Sequence, residues 1–183
     1  TVPPRGVADK IAIASGVRPE GIIMMPNVDT VYKVPLMVAR ELGPVLASFT
    51  GNDTAPDMTR WQQLVRHDSQ TYRQRLTIGL VAKYVDNADT YLSITEALKA
   101  AAWAHRSEVT IQWINAETVT DAALSAVDAV VVPGGFGKRG VEGKIAAASY
   151  CLQHNVPYLG ICLGMQVAVI AAARRGGLAQ AGS

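Results

Sequence analysis

The chain has 183 residues, 49% of them hydrophobic and 17% charged, with a formal net charge of +2. That length holds one ordinary domain or parts of two, and the apolar share is that of a packed α/β protein with a genuine core. The small charge argues against a nucleic-acid or membrane-surface role, the apolar run 167–173 is too short to span a bilayer, and two cysteines make no disulfide framework.

In chain order, Val7 to Ser15 is an apolar-rich helical stretch, and Gly21 to Met25 has the pattern of a short strand ending at Pro26. Asn27 is the expected cap of a helical turn reaching Tyr32, and Val34 to Leu42 reads as a helix stopped by Gly43. Residues 43–56 are loop-like, with Gly51-Asn52-Asp53 as a turn signal. Trp61, Leu64 and Val65 give residues 57–67 a helical spacing, and the polar stretch His67 to Arg75 reads as a linker at a domain boundary.

Beyond residue 75 the pattern alternates. Strands are expected at Leu76 to Val81, Val109 to Ile114, Ala129 to Val132 and Pro157 to Ile161. Helices are expected at Tyr91 to Ala104, Val141 to Gln153 and Leu163 to Arg175, the last buried through its apolar segment 167–173. Strands alternating with helices imply a parallel sheet flanked by helices, whose active sites lie at the carboxyl ends of strands. Both glycine-rich turns, Gly134–Gly137 and Gly160–Gly164, fall at such ends.

Gly160-Ile161-Cys162-Leu163-Gly164 carries G-x-nucleophile-x-G spacing. A nucleophile on a tight strand-to-helix turn needs neighbours without side chains two residues away, and the following helix offers its positive end to a thiolate. Cys151, beside Tyr150 and Leu152 inside a helix, reads instead as a core residue. The Pro133-Gly134-Gly135 loop offers bare amides to a developing oxyanion. Gly135 and the Leu163 amide are the expected pair of donors for attack by Cys162.

Two rivals to that loop fail on local grounds. Gly135-x-Gly137-x-x-Gly140 fits a dinucleotide fingerprint, but the next strand ends without the acidic residue that pattern requires. No G-x-x-x-x-G-K-[ST] phosphate loop occurs either, since Gly143-Lys144 is followed by Ile145.

Two strings together are more specific: Val132-Pro133-Gly134-Gly135-Phe136-Gly137-Lys138-Arg139-Gly140-Val141-Glu142-Gly143-Lys144, and Leu159-Gly160-Ile161-Cys162-Leu163-Gly164-Met165-Gln166. They resemble the class I glutamine amidotransferase domain of the CTP synthase family. Pro26-Asn27-Val28-Asp29-Thr30-Val31-Tyr32-Lys33-Val34-Pro35-Leu36 is similar to the end of that family's amidoligase domain. Val81-Ala82-Lys83-Tyr84 and Asp89-x-Tyr91-x-Ser93-x-x-Glu96-Ala97-Leu98 are similar to the opening strand and helix of its amidotransferase domain.

The resemblance implies that residues 1–56 end an α/β ligase domain and 57–75 form a helix and linker. Residues 76–183 would then begin the amidotransferase domain. It implies Cys162 as nucleophile, with Gly135, Leu163, Gly164, Met165 and Gln166 lining the glutamine pocket, and Arg139, Gly140 and Glu142 in a loop linked to GTP activation. No metal ligand is expected in this chain, while ATP and Mg²⁺ are implied for the full-length enzyme, as are UTP, a GTP effector, homo-oligomerisation and a cytoplasmic setting.

A chain that starts without Met and stops soon after its nucleophile is expected to lack part of both halves. In the resembled family the base and its orienting carboxylate form an H-x-E pair well downstream of the elbow, and His67, His105 and His154 read here as surface residues. The piece alone is therefore expected to be inactive. Three other readings stay open here: another class I amidotransferase, a chaperone-like cysteine-elbow hydrolase, and a non-catalytic assembly or regulatory homologue.

Overall fold

The computed structural model describes residues 6–135 and 137–182; residues 1–5, Phe136 and Ser183 lie outside them. The chain divides into two compact units, Thr1–Gln70 and Thr71–Ser183.

The first unit is helical: α1 (Val7–Ser15), α2 (Val34–Thr50) and α3 (Thr59–Asp68), with short 3₁₀ turns at Pro19–Gly21 and Val31–Lys33. Ala12 is its only buried residue among those described. Three local expectations change here. The strand at 21–25 is absent, because all four strands of the described residues lie in the other unit and a lone strand has no ladder for its amides. The cap before Tyr32 is Thr30, whose Oγ1 accepts from the Tyr32 amide at 3.5 Å, rather than Asn27.

The third change is in α2, which runs through Gly43 and Pro44 to Gly51. Proline clashes with the Cβ of the residue before it in a helix, and glycine has none, so Gly43-Pro44 costs a hydrogen bond without ending the helix. Gly51 ends it, at φ 66° with its amide on the Ala47 carbonyl.

The second unit holds β1 (Gln74–Ala82), α4 (Leu92–Ala104), β2 (Ser107–Asn115), α5 (Asp121–Ser125), β3 (Ala129–Val132), α6 (Val141–His154), β4 (Tyr158–Gly160) and α7 (Leu163–Arg175). The four strands are parallel in the order β2-β1-β3-β4. Alternate side chains feed two cores. Val81, Ile114, Val130 and Val132 pack with Ile145, Ala148 and Val167 on one face, while Leu80, Ala82 and Val131 pack with Tyr91 on the other. Both faces are thus covered, as the strand–helix alternation required.

Helix α5 has too few residues to show periodicity; its signal is Thr120, whose hydroxyl accepts from the Ala123 amide at 3.3 Å. Burial of 167–173 holds for Val167, Ile170 and Ala171 but fails at Val169, which is 63% exposed.

Candidate active site

Cys162 stands between β4 and α7 with φ 55° and ψ −111°, a backbone conformation that costs energy for a residue with a Cβ. Close packing enforces it. A Cβ on Gly164 would run into the Val132 carbonyl, and one on Gly160 would lie 2.5 Å from the Gly164 backbone. The Ile161 amide donates to the same Val132 carbonyl at 3.0 Å, so the end of β3 carries the elbow. The Tyr158 hydroxyl donates to the Gly164 carbonyl at 2.7 Å and ties β4 to the first turn of α7; burial pushes that phenol's pKa up, with Cys151 adding to the shift.

The thiol is exposed and lies over the glycine loop. A Cβ on Gly134 would be 3.3 Å from Cys162 Cβ and 3.8 Å from its Sγ. Gly135 follows with φ 154°, beyond the usual range of residues with side chains. At the start of α7, Gly164, Met165 and Gln166 donate to the carbonyls of Ile161 and Cys162 at 2.9, 3.0 and 3.2 Å. The Leu163 amide has no protein acceptor among the described residues. Gly164 is buried, while the Met165 and Gln166 side chains are exposed.

The Arg139-Gly140-Val141-Glu142 stretch is pulled apart. Arg139 donates to Glu117 at 3.2 Å, with its guanidinium 5.2 Å from the Tyr84 ring centre. Gly140 caps α6 at φ 75°, and a Cβ there would press on Ala116 at 3.0 Å. Glu142 turns to the far end of α7, where Arg174 grips both its oxygens at 2.8 and 3.0 Å and holds its carboxyl below the ordinary range. Arg139 and Glu142 therefore serve different neighbours.

Lys144, Tyr158 and the two partners of Arg139, Tyr84 and Glu117, escaped the sequence reading. Lys144 is 2% exposed, with Nζ donating to the carbonyls of Pro133 at 2.9 Å and Gly134 at 3.4 Å. Burial lowers its pKa, the nearby Lys83 lowers it further, and Cys162 opposes both. A signal existed: Val141, Lys144, Ile145 and Ala148 share one face of α6, and a lone lysine among apolar residues at that spacing is out of place unless it is paired.

His105 and His154 close α4 and α6, which lead into the amino ends of β2 and β4, whereas Cys162 follows the carboxyl end of β4, and all three histidines are exposed. Cys151 is buried at 2% exposure, as its helical setting implied. Among the described residues no group of three or more His, Cys, Asp or Glu side chains could hold a metal ion. No helix among them is long and apolar enough to cross a membrane.

The sequence profile of the family described as glutamine amidotransferase class-I matches residues 87–180, just over half of the chain. This chain belongs to that family. CTP synthase from Corynebacterium glutamicum (strain R) is 42% identical over 98% of this chain, and CTP synthase from Thermomicrobium roseum is 43% identical over 92%. The chain spans about a third of the length of these curated relatives, 34% and 31%.

A solved Trypanosoma brucei structure, the CTPS glutaminase domain with bound acivicin, shares 38% identity. It matches with a TM-score of 0.51 over 54% of this chain and 40% of its own. The family resemblance read from the two motif strings is met. The amidotransferase profile excludes the chaperone-like hydrolase, and a cysteine elbow without the Pro-Gly-Gly loop never accounted for residues 133–135.

Proposed function

We propose that this chain is the central part of a CTP synthase, in which Cys162 releases ammonia from glutamine for the ATP-dependent amination of UTP. One observation carries the reading: an exposed thiol, held at φ 55° on a strand-to-helix turn, lies against Gly134 of a glycine loop. The thiolate sulfur attacks the carboxamide carbon, and the carbonyl electron pair moves to oxygen. Collapse of that intermediate breaks the C–N bond, ammonia leaves with a proton from a general acid, and water then hydrolyses the thioester to glutamate. The Gly135 and Leu163 amides would receive the oxyanion, and one such donor is worth about 3 kcal/mol of barrier. The remaining glutamine contacts fall to Gly164, Met165 and Gln166.

The histidine base and its glutamate are assigned to parts of the full-length enzyme outside this chain, because the two histidines of the second unit, His105 and His154, close helices that lead into the amino ends of β2 and β4. The first unit is read as the end of the ligase half. Its support is that similarity to CTP synthases covers 98% of the chain, well upstream of the amidotransferase match. Arg139 and Gly140, between the glycine loop and α6, are assigned to the GTP-responsive loop, with Glu142 anchoring the helix behind them.

In the full-length enzyme, Cys162→Ala should abolish glutamine-dependent CTP formation and leave ammonia-dependent formation intact. Equal loss of both would make the cysteine structural. Acivicin, bound in the trypanosomal relative, should label Cys162 in a peptide map, and exclusive modification of Cys151 would reverse the assignment.

A further inference from the structure

Lys144 is a costly residue for its position. Lysine is almost never fully buried unless paired, and here the acceptors its ammonium meets are the two backbone carbonyls of Pro133 and Gly134. Both belong to the loop that faces Cys162. We propose that Lys144 is a positioning residue for glutamine hydrolysis, a cationic latch that fixes which way the Gly134–Gly135 peptide points. This rests on the reading of Gly135 as an oxyanion donor.

The argument is stereochemical. A trans peptide is planar, so its C=O and N–H point in opposite directions. With Nζ holding the Gly134 oxygen at 3.4 Å, the Gly135 N–H is aimed away from the lysine. Nζ lies on the Gly135 side of the loop, 3.7 Å from where a Cβ on that residue would sit. The Cys162 sulfur lies against Gly134, 3.8 Å from a Cβ placed there. A glycine at φ 154° has no side chain to lock its peptide, and rotation of that plane would turn the donor away at small local cost. The ammonium bonds supply the missing constraint, and a charge-assisted bond to the carbonyl also polarises the N–H on the same peptide.

Lys144→Met tests this in the full-length enzyme, because methionine fills the lysine stem and removes the ammonium. Glutamine-dependent kcat should fall about tenfold or more, short of the loss of about a hundredfold or more from deleting a donor itself. KM for glutamine should stay within about twofold, since an oxyanion forms only in the transition state. Ammonia-dependent turnover should be unchanged, and Lys144→Gln, which keeps a neutral donor, should recover part of the rate.

A kcat within about twofold of wild type in Lys144→Met would overturn the latch and leave Cys162 as nucleophile. So would parallel losses in the glutamine and ammonia reactions with a lowered melting point, which would assign Lys144 to folding alone. Glutamine turnover surviving in Cys162→Ala, run alongside, would overturn both proposals.

Discussion

Cys151 and Cys162 have the same chemistry and opposite surroundings. Burial pushes the Cys151 thiol from an ordinary value of 9.0 up to about 11. Between those values the unfolded chain loses its proton while the folded chain keeps it, so the stability this thiol contributes is complete below pH 9.0 and lost as pH rises to about 11. The loss is on the order of 2 kcal/mol. Cys151→Ala should be less stable than wild type at about pH 8 and should close part of that gap at about pH 10.5, read from urea midpoints of the two proteins at each pH. A gap independent of pH would show that the thiol titrates normally.

What the sequence disclosed at this scale depended on distance along the chain. The spacing of Gly160, Cys162 and Gly164 is a local steric rule, so the tight turn at Cys162 was legible. Lys144 became meaningful only when the loop after β3 folded over α6. The partner of Glu142, Arg174, lies at the far end of another helix, where no pattern around Glu142 could place it.

Among the elements, α1, β3 and α7 run between the residues their local signals marked, because caps and apolar runs are properties of contiguous sequence. The strand expected at 21–25 was illegible as an error for the converse reason: pairing needs a partner, and apolar content does not supply one. Helix α2 was cut short by treating Gly43 as an independent stop, when its effect depends on the proline that follows.

The junction of β4 and α7 yields a prediction of its own. A methyl group on Gly164 meets the Val132 carbonyl, a backbone atom that cannot yield, so Gly164→Ala should destabilise the second unit by about 3 kcal/mol. Gly176→Ala is the control: φ there is −77° and a Cβ would find ordinary contact at 3.5 Å, so its change should stay within about 0.5 kcal/mol. Chemical denaturation of both variants decides it, and equal stability would mean that the elbow has room to spare.

The two units of the molecule differ in how much they bury. Thr71–Ser183 holds two clusters of buried residues, whereas Ala12 is the only buried residue described in Thr1–Gln70. Amide exchange follows local stability, so the α2 amides of this chain should exchange orders of magnitude faster than those of β3 and the buried face of α7. Exchange followed by mass spectrometry measures both in one experiment, and uniform protection would contradict the reading.

The Val132 carbonyl has a wider consequence. It accepts the amide of Ile161 and backs the bare Cα of Gly164, and one residue later the same strand becomes Pro133-Gly134. Sulfur and glycine amides are therefore mounted on a single stiff support. When the sheet twists they are displaced together, and the gap between them is insulated from strain arriving from elsewhere in the second unit.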